Sequence, residues 1–90
     1  MAKRLTKYEC SRILGIRAAQ ISMSAPVLLD VPLQYQSNFL LVAALELKAR
    51  VLDIIVRRPL PLNRYYEVNI NELALPDDLD TLIRMYQKNS

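Results

Sequence analysis

The stretch Leu5–Val27, LTKYECSRILGIRAAQISMSAPV, decides how the chain is built. Thr6 and Glu9 stand at the spacing of a capping box, with Thr6 as N-cap and Glu9 at the third helical position. Pro26 ends the run, because it has no N–H and pushes Ala25 out of the helical region. At roughly 100° per residue, Cys10, Leu14, Ala18 and Ile21 share one side of this helix. Ile13, Ile16 and Met23 share another, with Arg12 and Arg17 between the sectors. A short chain can cover one apolar side of a helix with its own core. The second side calls for a partner.

Arg17 lies at the border of the first apolar sector. A buried guanidinium must reach solvent along its stem or meet a carboxylate. Two readings stay open: Arg17 sits at the rim of the chain's own core, or it makes a docking ion pair with another chain. Gly15 is the single glycine and falls inside the helix. Glycine there costs about 1 kcal/mol against alanine, which points to close approach of another backbone.

Outward from this helix, VLLDVPLQYQS, with Pro26 before it and Pro32 within it, reads as an irregular connector. Ser37 opens a second helix that runs to about Val51. Phe39, Leu40, Ala43, Ala44 and Leu47 form one apolar sector, and Leu41, Val42, Leu45 and Ala49 another. A helix apolar nearly all round implies surplus surface in so small a chain. Glu46 and Arg50, four apart in the favourable order, make a candidate pair. Asp53–Arg58, DIIVRR, reads as a strand from its β-branched run, and Pro59–Asn63 as a loop that ends pairing. Arg64–Ile70 alternates as a second strand, so a small antiparallel hairpin is expected. The tail from Pro76 reads as a short helix capped by Asp77 or Asp78, with Leu79, Leu82, Ile83 and Tyr86 on one face. The fold class expected is α+β: two main helices, a hairpin and a short C-terminal helix, in one domain over residues 1–90.

Composition narrows the function. Hydrophobic residues make up 52% and charged residues 23%, a globular balance. There is no histidine, the commonest general base and metal ligand. One cysteine, Cys10, can build neither an internal disulfide nor a thiolate zinc site, and it reads as a small core residue that fits a reducing compartment. One glycine excludes a glycine-rich phosphate loop. No catalytic residue, cofactor or metal is therefore expected. The N-terminal MAKRLTKYE is too charged for a secretory segment, and no apolar run has membrane-spanning length. Charge is uneven: up to Arg64 there are ten Lys/Arg against four Asp/Glu, and from Tyr65 onward two against five. The basic part suits an acidic protein surface or nucleic acid. Tyr65 and Tyr66 beside Arg57, Arg58 and Arg64 offer the alternative reading, a free nucleic-acid-binding module that uses the basic hairpin.

The residues now in view resemble a known family. Leu5-Thr6-Lys7-Tyr8-Glu9, Arg12-Ile13-Leu14-Gly15, Arg17-Ala18, Gln20-Ile21, Met23 and Ala25-Pro26-Val27 look like the first helix of the small shared subunit of DNA-dependent RNA polymerases. This is the sixth common subunit of eukaryotes, subunit K of archaea and omega of bacteria. Glu46-Leu47-Lys48-Ala49-Arg50, Ile54-Ile55-Val56-Arg57-Arg58 with Leu60-Pro61, and Asn71-Glu72-Leu73 resemble the later blocks of the same family. The likeness covers about Leu5 to Leu75. The connector LLDVPLQYQSNF departs from the acidic, glycine-containing loop of the family, and residues 76–90 read as a divergent C-terminal extension.

The resemblance implies a non-catalytic subunit of a nuclear DNA-directed RNA polymerase, or of one in a virion or cytoplasmic factory if the source is viral. It implies a clasp on the largest subunit that supports assembly and stability of the enzyme during transcription. DNA and RNA would be met only through the complex, with neither membrane nor homo-oligomer. The residues carried over as partner-facing, or as ion pairs that fix the clasp, are Thr6, Lys7, Tyr8, Glu9, Arg12, Gly15, Arg17, Gln20, Met23 and Pro26. Ile16, from the second apolar sector, joins them. The later blocks add Glu46, Lys48, Arg50, Arg57 and Arg58.

Overall fold

The computed structural model describes residues 4–88. Helix α1 spans Lys7–Ser22, α2 Phe39–Lys48 and α3 Leu79–Lys88. Between α2 and α3, strands β1 (Ile55–Leu60) and β2 (Arg64–Asn69) form a two-stranded antiparallel hairpin. Short 3-10 turns occupy Leu33–Tyr35 in the connector and Ile70–Glu72 after β2. The α+β expectation holds.

Helix α1 begins as its sequence dictates. The Thr6 hydroxyl accepts from the Glu9 N–H at 3.1 Å, and the Glu9 carboxylate accepts from the Thr6 N–H at 2.9 Å. Such a cap is worth about 1 kcal/mol. The helix closes at Met23, and Ser24 takes a left-handed φ of 76° ahead of Pro26. Its buried residues are Cys10, Leu14, Ala18 and Ile21, the first apolar sector. They meet Leu41, Ala44 and Leu47 of α2, with Leu5, Ile70 and Leu73 closing the layer. Leu14, Leu41 and Leu47 are essentially inaccessible, and truncating any of them to alanine would cost about 2–5 kcal/mol. Both ends of the core are sewn together, since the Leu5 N–H donates to the Ala74 carbonyl at 2.8 Å.

Three sequence expectations are corrected. Asn38 rather than Ser37 caps α2, its side chain accepting from the Leu41 N–H, so the helix starts a residue later and stops at Lys48. The surplus expected on α2 is covered within the chain: α1 packs on one side and α3 on another, leaving only the first turn, Phe39 and Leu40, open at 37% and 40%. Residues 53 and 54 precede β1, which runs on through Pro59 and Leu60. The Ile70 N–H donates to the Ile54 carbonyl, and the pairing alternates from there, so Pro59 sits where a strand residue turns its N–H away from β2. Proline loses no ladder bond at that position. The turn at residues 61–63 supplies the reversal instead, with Leu62 and Asn63 at φ 64° and 59°. Asp77 pairs with Arg4 at 2.8 Å just before α3. The C-terminal segment is otherwise docked: Leu79 and Ile83 are buried, and Asn38 donates to the Tyr86 carbonyl at 2.8 Å.

Candidate functional site

Three arginines fix the frame from inside. Arg17 meets Glu46 in a two-pronged bond, Nε to Oε1 at 2.8 Å and Nη2 to Oε2 at 3.0 Å. The same Nη2 donates to the Pro26 carbonyl at 2.7 Å, and the Leu28 N–H donates to Glu46 Oε2 at 2.7 Å. Glu46 is wholly buried, and α1, the connector and α2 all converge on it. Of the two readings of Arg17, the docking ion pair gives way to an internal one. The bond to Glu46 raises the Arg17 pKa against the opposing effect of burial.

Arg58 does the same for the hairpin. It grips both oxygens of Glu9 at 3.0 and 2.9 Å and donates to the Arg4 carbonyl at 3.0 Å. Glu9 therefore serves the helix cap and the hairpin at once. The Arg58 bond holds its carboxyl below the ordinary value, with Thr6 adding to the effect and burial opposing it. Arg50 does not pair with Glu46 as its spacing suggested. It lies beyond the helix at φ 61° and donates to the Ile70 and Leu73 carbonyls at 3.2 and 2.8 Å. Leaving the helix turned its side chain away from the i−4 position.

With the core satisfied, the second sector of α1 stands open. Ile16 is 52% exposed and Met23 81%, while Tyr8, Arg12 and Gln20 lie on the surface. Gly15 is on this surface too, and a Cβ built there would meet nothing within 4 Å. The close backbone neighbour expected for it is absent among the described residues, because this side of α1 faces away from α2. Ile13 and Ile16 instead form one wall of a groove whose other wall is β1 and the segment before it. One end, about 450 Å³, is closed by Leu28, Leu52, Asp53 and Ile54. The other, about 480 Å³, runs along Ile54–Arg57 to Pro59, Arg64 and Tyr65, with Arg12 opposite.

The remaining candidates are placed as follows. Lys7 is exposed beside the Thr6 cap, and Pro26 is exposed with its carbonyl turned to Arg17. Lys48 pairs with Asp80 at 2.7 Å on the surface. Arg57 lies over the Tyr65 ring at 4.1 Å and near Glu67 at 3.7 Å. The structure thus sorts the candidate residues into an inner set that locks the frame (Thr6, Glu9, Arg17, Glu46, Arg50, Arg58) and an outer set along α1 and the hairpin. Sequence reading missed Leu28, Leu52, Ile54, Ile55 and Tyr65 as groove residues. The signal for Ile55 was present in the strand alternation, which buries Val56 and Arg58 and turns Ile55 outward at 53% exposure. Among the described residues no group of His, Cys, Asp or Glu could hold a metal ion, and no helix is long and apolar enough to cross a membrane.

No family model matches the chain. Individual proteins do. It is 43% identical over 76 residues to the DNA-directed RNA polymerases II and V subunit 6B of Arabidopsis thaliana, covering 84% of this chain and 51% of that protein. Its homologues are small shared RNA polymerase subunits. The amoeba relative, the DNA-directed RNA polymerases I, II, and III subunit rpabc2 of Dictyostelium discoideum, is 41% identical over 79% of this chain and 52% of its own length. The RPABC2 subunit of Schizosaccharomyces pombe is 46% identical over 77% of this chain and 47% of its own length. The chain spans about half the length of the curated relatives it matches.

Proposed function

We propose that this chain is a non-catalytic subunit of a DNA-directed RNA polymerase, working in the nucleus. In this reading it clasps the largest subunit and supports assembly and stability of the enzyme during transcription. The likeness to polymerase subunits over most of the chain supports the enzyme. The observation that carries a clasp is the open side of α1, where Ile16 and Met23 stay exposed although the core behind them is complete. An apolar surface of this kind, on a helix rigidly held by two internal ion pairs, suits permanent association with a large chain. The nucleic-acid alternative has less in its favour, because Arg57 already covers one face of the Tyr65 ring.

Affinity purification of the tagged chain from its source in high salt, with mass spectrometry of what remains, tests the proposal. Polymerase largest subunits should stay bound, since apolar contact resists salt. Ile16→Asp should release them while leaving the fold intact. Recovery of nucleic acid alone, lost as salt rises, would refute the polymerase reading.

A further inference from the structure

We infer that the groove between α1 and β1 receives an extended, acidic segment of the partner, which adds as a strand to the outer edge of β1. The inference rests on the polymerase reading for the partner's identity but not for the chemistry. The sheet has two strands, so β1 has one edge that β2 does not use. The Ile70-to-Ile54 bond sets the phase of the hairpin, turning the backbone groups of Ile55, Arg57 and Pro59 toward that edge. Among the described residues no other segment hydrogen-bonds there.

The groove is lined by four consecutive residues, Ile54 to Arg57. Side chains alternate faces along a strand, so a cavity that touches all four meets β1 edge-on. This is the geometry that strand addition uses, with backbone bonds giving affinity and alternate side chains giving choice. Pro59 has no N–H to offer and ends the template, which leaves Ile55 and Arg57 as the pairing residues.

Charge selects the occupant. Arg12, Arg57 and Arg64 line the hairpin end of the groove. Arg12 makes no ion pair among the described residues, Arg64 reaches only its own turn, and Arg57 holds Glu67 at a loose 3.7 Å. The one carboxylate at that end, Glu9, has both oxygens taken by Arg58. The opposite end joins the apolar side chains of Ile13, Ile16, Leu28, Leu52 and Ile54 to Asp53, a carboxylate that repels acidic residues there. A segment carrying acidic residues toward the hairpin turn and apolar side chains toward Leu28 and Leu52 satisfies both.

The test is a titration of the full isotopically labelled chain with octapeptides that carry glutamates in one half and valines in the other, in both orders, followed by amide hydrogen exchange. The expected result is slowed exchange at Ile55 and Arg57, with Tyr65 and Glu67 on the far edge of the hairpin unchanged. Combined Arg57→Glu and Arg64→Glu should weaken binding about tenfold or more, whereas Lys88→Glu should not. Equal binding of the same peptides with lysine for glutamate would overturn the inference. So would unchanged exchange at Ile55 and Arg57, or protection of those amides by a single-stranded oligonucleotide that displaces the peptide. These outcomes leave salt-resistant association with polymerase untouched. Loss of that association with peptide binding intact would remove the polymerase reading alone.

Discussion

Replacing Arg17 by methionine should be among the most damaging single changes available to this chain. Methionine keeps most of the stem and its packing, so the loss isolates the guanidinium. Glu46 would remain at 0% exposure with one bond left, from the Leu28 N–H. Stranding one member of a buried ion pair costs about 3–5 kcal/mol. A domain of this size has roughly 5–13 kcal/mol in total, so the variant should be near the edge of folding. Urea unfolding followed by far-ultraviolet circular dichroism reads the difference.

A second variant gives a sharper check. Removing both charges as Arg17→Met with Glu46→Leu should cost less than Arg17→Met alone, the residue being about 1–3 kcal/mol for the Leu28 N–H left without a partner. The reasoning fails if Arg17→Met unfolds within about 1 kcal/mol of the wild type, or if the double variant is as unstable as the two single losses added together.

Three further outcomes follow from the same geometry. Arg50 combines a left-handed backbone with two carbonyl bonds, so thermal melts should rank wild type above Arg50→Gly and Arg50→Gly above Arg50→Ala, the last two separated by about 1 kcal/mol. Glu9, whose carboxyl the Arg58 bond holds below its ordinary value, contributes stability that is complete above that ordinary value and lost as pH falls through the lowered one. Acid titration of wild type against Glu9→Gln should show the two converging below pH 4.5. Gly15→Ala fills open space on a helix surface and should stabilise the free chain by about 0.5–1 kcal/mol, while co-purification of polymerase should fall, because the partner backbone that a glycine admits would meet the new methyl group.

Helix α1 was legible because its signals are local. Thr6, Glu9 and Pro26 mark its ends, and a 3.6-residue period separates the buried sector from the open one. Arg17 announced an unusual environment by its place among apolar residues, yet its partner lay twenty-nine positions away, beyond the reach of periodicity. Glu46 and Arg50 failed as a pair for a related reason: spacing along a helix presumes that the helix continues, and here it stops at Lys48. Pro59 was read as the end of a strand because strand interiors exclude proline, a rule that loosens at an edge. The groove itself was invisible in the sequence. Its walls come from α1 and β1, which the Glu9–Arg58 bond and the Leu5–Ala74 bond help bring into position.

That last bond has a consequence in time. A ribosome makes Leu5 well before Ala74, and at roughly 5–20 residues per second the interval between them is about 3–14 s. Throughout it α1 exists without the segment that closes its core, and the carboxylate that starts the helix waits for Arg58. The nascent chain thus carries a helix with two uncovered greasy sides for several seconds. A helix uncovered in this way is a target for a holding chaperone or for a binding partner, and pulse-labelled ribosome-bound chains offer the place to catch either.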